Sequence, residues 1–178
     1  MSPAIHFLSW LLFYTTLNIV ITVVYVVSMK IVIYKNDSVY LFLVIVFLAI
    51  QSLFGFIWAL QPFFKTTRMA IFVTCFFLFL SFSATYIVDQ KEPTIATSTM
   101  EEVAIAPLAA VKLTFDTLGS FHYMILAMDF DNYEWKTNGW SIKIGISMFI
   151  FNFFLWTAVG IILDLLLNNL SQCFCCKK

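Results

Sequence analysis

The sequence predicts an all-α polytopic membrane protein with four transmembrane helices and a short interfacial or re-entrant helical hairpin between the third and fourth. Three observations lead there. Of 178 residues, 62% are hydrophobic and only 11% charged, far from the roughly 45–50% and 25% of soluble domains. Charge-free apolar runs long enough to cross a bilayer recur along the chain. Between the last two lies a connection that is itself partly apolar and holds a proline.

The first run covers residues 7–29, the second 39–61, the third 69–88, and the fourth 140–163, interrupted near its start by Lys143. At 1.5 Å per residue, about twenty helical residues cover a hydrocarbon core of about 30 Å. A barrel would need alternating segments of about ten residues, which are absent, and lipid offers backbone groups no water, so helices are the expected solution. The start, MSPAIHFLSW, has no basic n-region, and no small-residue cleavage pattern follows the first run, which is therefore expected to be retained. We read the chain as one membrane domain over 1–178, with a tail at 168–178.

The connections are unequal. Residues 30–38 and 62–68 are tight links, whereas 89–138 carries eight of the ten carboxylates. Within it, Ser98 followed by Glu101 forms a capping-box pattern that predicts a helix start. Pro107 then breaks or kinks that helix, and apolar residues resume to Leu118 before Gly119. The hairpin is placed at 98–119, with Pro107, Leu108, Val111 and Leu113 as its lipid-facing side chains.

Four spans put both termini on one side, expected to be the cytoplasm. Lys65, Arg68, Lys177 and Lys178 fall on that side against six lysines on the other, so the raw positive-inside count opposes this assignment. Four of those six lie in or beyond the long connection. The tail CFCCKK outweighs them: Cys173, Cys175 and Cys176 beside a span are candidates for S-acylation, a cytoplasmic-face modification. Asn36-Asp37-Ser38 would then be a luminal glycosylation sequon held close to the membrane by its short loop.

Enzyme chemistry finds no constellation. His6 and His122 are isolated, and neither belongs to a helical metal-ligand pair. Five glycines form no phosphate-binding loop, ten basic residues are balanced by ten acidic ones without a basic cluster, and no cofactor or nucleic acid is expected. Asp129, Asp131 and Glu134 resemble the opening of a calcium loop but lack its glycine and distal glutamate, which favours a solvated acidic loop. Three thiols are too few for a zinc site without another donor. Asn18, Gln51 and Asn152 are amides inside apolar runs, expected to hydrogen-bond between helices.

The order of these elements resembles a known family. LSWLLFY, then KNDSVYLFLVIVFLAIQSLFGFIWAL, then FFKTTRMAIFVTCFFLFLSFSATYIV are similar to the third, fourth and fifth spans of one half of an A-subfamily ATP-binding-cassette lipid exporter. Phe63, Phe64, Lys65 and Ala70 match the pattern of that family's turn after the fourth span. IAPLAAVKLTFDTL resembles its extracellular helical hairpin, which dips into the outer leaflet, and AMDFDNYEWKTNGWSIKIGISMFIFNFFLWTAVGIILDLLLNN resembles the acidic, aromatic lead into its sixth span. The family carries a nucleotide-binding domain that has no counterpart in these residues. The resemblance therefore implies a partial transporter membrane domain, whose partners are membrane lipids and separate subunits bearing nucleotide-binding domains. The second reading is a four-span membrane adaptor or scaffold with an acylated tail.

Overall fold

A computed structural model describes residues 3–32, 37–64, 67–90, 97–124, 126–137 and 139–175. Among these residues six helices form in order: α1 (Pro3–Val32), α2 (Val39–Leu60), α3 (Thr67–Gln90), α4 (Thr97–Val103), α5 (Pro107–Tyr123) and α6 (Ile142–Cys175), with a 3₁₀ turn at Gln61–Phe63 after α2. Among the described residues the only β feature is one isolated bridge between Thr137 and Trp140. The fold is all-helical.

Three helices are long and apolar enough to cross a membrane, over Leu8–Ile31, Val39–Leu60 and Ile142–Leu166. These correspond to the expected spans 7–29, 39–61 and 140–163. The remaining expected span, 69–88, lies in α3, a 24-residue helix whose described apolar stretch is Arg68–Phe77. The 34-residue α6 runs to Cys175, so residues 168–175 of the expected tail are helical. Cys173 and Cys175 sit in its last turn, while Cys176 and Asn36 lie outside the described residues.

α2 is the centre of the assembly. Leu41, Ile45 and Ala49 are buried, packed with Ala110 and Leu113 of α5 and Phe149 of α6 in one apolar core. α1 covers one side of α2 and turns its other face outward, with Leu12, Val24 and Ile31 more than 60% exposed. A helix apolar all round suits lipid contact better than water.

The pairings fix helix directions. Tyr14 meets Phe54 and Tyr25 meets Phe42, so α1 and α2 are antiparallel. α6 is parallel to α2, because Gly55 adjoins Phe153 and Thr157 while Gly160 adjoins Trp58 and Ala59. That contact is close because its residues are small: a Cβ on Gly55 would lie 2.9 Å from the Phe153 carbonyl oxygen, and one on Gly160 would lie 3.0 Å from the Ala59 Cα. Small residues that let backbones approach are the usual basis of helix packing in lipid, where there is no hydrophobic drive to associate.

The connection before α6 folds onto the α1–α2 link. Ser38 N donates to Met128 O at 2.8 Å, Met128 N donates to Asp37 Oδ1 at 2.6 Å, and the Lys30 ammonium donates to the Asp37 carbonyl. A reverse turn with Gly139 at φ 79° then delivers Trp140, only 1% exposed, against Thr114 of α5. Side chains of the acidic loop serve the backbone: Asp129 Oδ1 accepts from Asp131 N at 2.7 Å, and Asn132 Oδ1 accepts from Asp129 N at 3.0 Å. Glu134 pairs with Lys143 at 2.8 Å. No metal-holding cluster of His, Cys, Asp or Glu occurs among the described residues.

Candidate functional site

Polar side chains inside apolar helices collect at two places. The first is the α1–α2 seam. Thr15, Asn18 and Thr22, spaced by three and four residues, share one face of α1. Asn18 Nδ2 donates to Gln51 Oε1 at 3.0 Å and to Phe47 O at 3.1 Å. Thr22 Oγ1 donates to Asn18 Oδ1 at 3.0 Å, and Gln51 Nε2 reaches Thr15 Oγ1 at 3.4 Å. The two amides answer one another, which removes the desolvation cost that either would carry alone. Interhelical bonds of this kind are each worth about 0.6 kcal/mol on average and about 1.7 at most.

The second place is the break between α4 and α5. Helix α4 is described from Thr97, so Ser98 falls inside its first turn. At the other end Pro107 supplies no N–H, and its ring displaces the carbonyl four residues back. The turn closes by shorter bonds: Ile105 N donates to Glu102 O and Ala106 N to Val103 O, while Ala109 N and Ala110 N both donate to Ala106 O. The carbonyls of Ala104 and Ile105 receive their donors from another helix. Asn152 Nδ2 donates to Ala104 O at 2.8 Å, and Trp156 Nε1 donates to Ile105 O at 3.0 Å.

Asn152 and Trp156 stand one helical turn apart, so a single face of α6 clasps both carbonyls. Asn152 lies about 15 Å along α6 from Ile142 at 1.5 Å per residue. α5 then runs back antiparallel to α6, with Thr114 against Gly145, where a Cβ would fall 2.2 Å from the Thr114 hydroxyl oxygen. Asn152 is fully buried, yet among the described residues neither its Oδ1 nor Thr157 Oγ1 has a hydrogen-bond partner. Asn152 thus does not pair with Asn18 or Gln51; it serves the backbone of the break between α4 and α5.

The four hairpin side chains assigned to lipid divide. Pro107 and Leu113 are buried, turned inward by the close approach of α5 to α2 and α6. Leu108 and Val111 are half-buried. Val111 and Phe115 instead close one side of a groove of about 320 Å³, whose other walls are Ile21 and Tyr25 of α1 and Val46 and Ile50 of α2. Its lining side chains are apolar except for the Tyr25 hydroxyl. Such a groove offers contacts to an alkyl chain and no acid, base or nucleophile.

Glu134 lies outside the spans, at the end where α6 begins. The hydrogen bond and charge of Lys143 hold its carboxyl below the ordinary glutamate value of 4.5. The groove and the Trp156 half of the clasp are absent from the sequence reading. A signal for the clasp was present, since Asn152 and Trp156 carry donors on one face of an otherwise apolar helix. No family model matches the chain, and no curated protein or solved structure matches it.

Proposed function

We propose that the chain is a four-span membrane domain, α3 being the third span, in which α4 and α5 form a re-entrant hairpin, and that it serves as the lipid-handling membrane part of an A-subfamily-like ATP-binding-cassette transporter. The observation that carries this reading is the clasp of Asn152 and Trp156 on the carbonyls freed at Pro107. Backbone that leaves its helix at membrane depth is tolerated where neighbouring helices satisfy it, and α6 supplies that service well inside its own apolar stretch. The lipid-accessible surface is the groove beside α5. Both termini are cytoplasmic in this reading, and ATP-driven work comes from a separate nucleotide-binding chain.

Purification of the C-terminally tagged chain from mild detergent, with mass spectrometry of whatever accompanies it, tests the assignment. A stoichiometric nucleotide-binding chain is expected. Its reproducible absence overturns the transporter reading and leaves a self-contained four-span adaptor. Hairpin depth is tested separately: a cysteine replacing Ile105 should resist an aqueous maleimide in sealed membranes, whereas one replacing Tyr123 should react. Equal reaction at both would rule out a re-entrant hairpin.

A further inference from the structure

The tip of α5 stands clear of the bilayer. α5 runs antiparallel to α6 with Thr114 against Gly145. Tyr123 lies nine residues beyond Thr114 and Ile142 three before Gly145, so at 1.5 Å per residue the tip passes the first residue of α6 by about 9 Å. The apolar stretch Ile142–Leu166 has 25 residues and a length of about 37 Å, against about 30 Å for a hydrocarbon core. Centred in the bilayer, it sets the hydrocarbon edge about 4 Å inside Ile142, and Tyr123 then lies about 13 Å outside that edge, past a headgroup layer of about 5–8 Å.

Yet this tip is apolar. Tyr123 is 88% exposed, and Met124 and Leu126 are exposed beside it. Met124 N donates to Ser120 O at 3.0 Å and Leu126 N to Phe121 O at 3.1 Å, so the chain folds over the last turn of α5 and keeps the three side chains together. Large apolar side chains grouped in water mark a contact surface. Tyr133 and Trp135 sit lower, since Tyr133 O accepts from Lys143 N in the first turn of α6, and the aromatic belt of a membrane interface accounts for them.

Charge enters through the turn that follows. Asn132 Nδ2 donates to Ala127 O at 2.6 Å and closes residues 127–132 beside Leu126. Phe130, 52% exposed, stands in that turn between the exposed Asp129 and Asp131. Carboxylates need water, so a ring flanked by two of them is poorly placed as a lipid anchor. Lys112 pairs with Asp116 and Lys143 with Glu134, which leaves Lys136 against the two aspartates in this part of the chain.

We infer that this face, Tyr123, Met124, Leu126 and Phe130 with Asp129 and Asp131, docks an arginine-bearing segment of another protein. A guanidinium is served at once by a ring face and by a carboxylate, whereas a lysine ammonium is a compact, strongly hydrated charge that gains less from a ring. Tyrosine, phenylalanine and methionine are the side chains enriched at the centres of such contacts. A second copy does not supply the cation: the only arginine of the chain, Arg68, follows the opposite end of α2 and lies across the bilayer from the tip of α5.

The inference goes beyond the lipid-handling reading and needs from it only that Ile142–Leu166 crosses the bilayer. The test places the full-length protein in phosphatidylcholine nanodiscs and selects binders from a random twelve-residue peptide library displayed on phage, with empty nanodiscs as counter-selection. Arginine-bearing peptides with an apolar neighbour should be enriched. Replacing the arginine of a synthetic winner by lysine should weaken binding about threefold to fivefold. Asp129→Asn with Asp131→Asn, which leaves Oδ1 of residue 129 to accept from the backbone, should weaken it about fivefold, and Tyr123→Ala about tenfold.

No enrichment over empty nanodiscs, winners without arginine, or an affinity indifferent to the exchange of arginine for lysine would overturn the site. That exchange alters the peptide and not the protein, so it decides the matter even where a variant fails to fold. Peptide binding without a copurifying nucleotide-binding chain would remove the transporter assignment and keep the docking face. A nucleotide-binding companion without peptide binding would do the reverse.

Discussion

Asn18 and Asn152 are both amides buried in helices of membrane-spanning length, 2% and 0% exposed, yet their surroundings differ. Asn18 belongs to a closed circuit: its nitrogen serves Gln51 and Phe47 O, and its oxygen is served by Thr22. Asn152 gives its nitrogen to Ala104 O, and its own oxygen receives nothing. The difference follows from what each faces. Two intact helices bond their own backbone groups, so amides in their seam can satisfy each other, with Phe47 O taking one further bond on its second lone pair. A broken helix presents surplus carbonyls, which call for donors, and an amide that meets this demand leaves an acceptor over.

The contrast is broken or sharpened by substitution. The largest effect is expected from Asn152→Asp, which removes the side-chain donor to Ala104 O and sets a carboxylate deep in α6. It should cost about 3 kcal/mol or more, the insertion scale for Asp at a helix centre, read as lost resistance to SDS unfolding. Asn18→Asp should cost less, because Thr22 still donates to it and Gln51 can turn its NH₂ toward it; equal losses would break the contrast. Next is Gly55→Val, which forces α2 from the Phe153 carbonyl and should cost about 1–3 kcal/mol by overpacking. Gly119→Ala is its control: a Cβ there meets nothing within 4 Å, and about 0.5–1 kcal/mol of helix stability should be gained.

A smaller effect tests the closed circuit itself. In a double-mutant cycle of Asn18→Leu and Gln51→Leu, the coupling should be about 0.6 kcal/mol and no more than about 1.7. No coupling would mean that the two amides do not act on each other. The smallest effect concerns Glu134. Its carboxyl is held low by Lys143, so the pair contributes above the ordinary glutamate range and that contribution is lost as pH falls through the depressed value. Amide protection in residues 133–137, measured relative to the intrinsic exchange rate at each pH, should fall below about pH 4.5 in the wild type, and Glu134→Gln should show no such dependence.

Much of the architecture was legible because membrane helices advertise themselves by composition. Ranges 7–29 and 39–61 fall close to Leu8–Ile31 and Val39–Leu60, and Pro107 marks the break because a missing N–H is visible in any sequence. The end of α6 was not legible: Asn168 and Asn169 read as the start of a tail, but a helix once nucleated continues until something stops it, and no Gly or Pro follows them. Periodicity shows that Leu113 lies on an apolar face but not whether that face meets lipid or α2. The partners of Asn18 and Asn152 lie 33 and 48 residues away, and no local pattern encodes that distance. The groove needs three helices to exist and has no signature in any one of them.

The parallel course of α2 and α6 has a consequence for how the chain is routed. Neighbours that point the same way must be joined by an odd number of traverses, that is, by an even number of reversals. In the proposed topology α3 supplies that one traverse, and α4 with α5 enters and leaves on the same side, supplying none. A re-entrant hairpin of the proposed kind is parity-neutral: it can lengthen, shorten or be lost without turning α6 upside down, and its role is free to change without re-threading the rest of the chain.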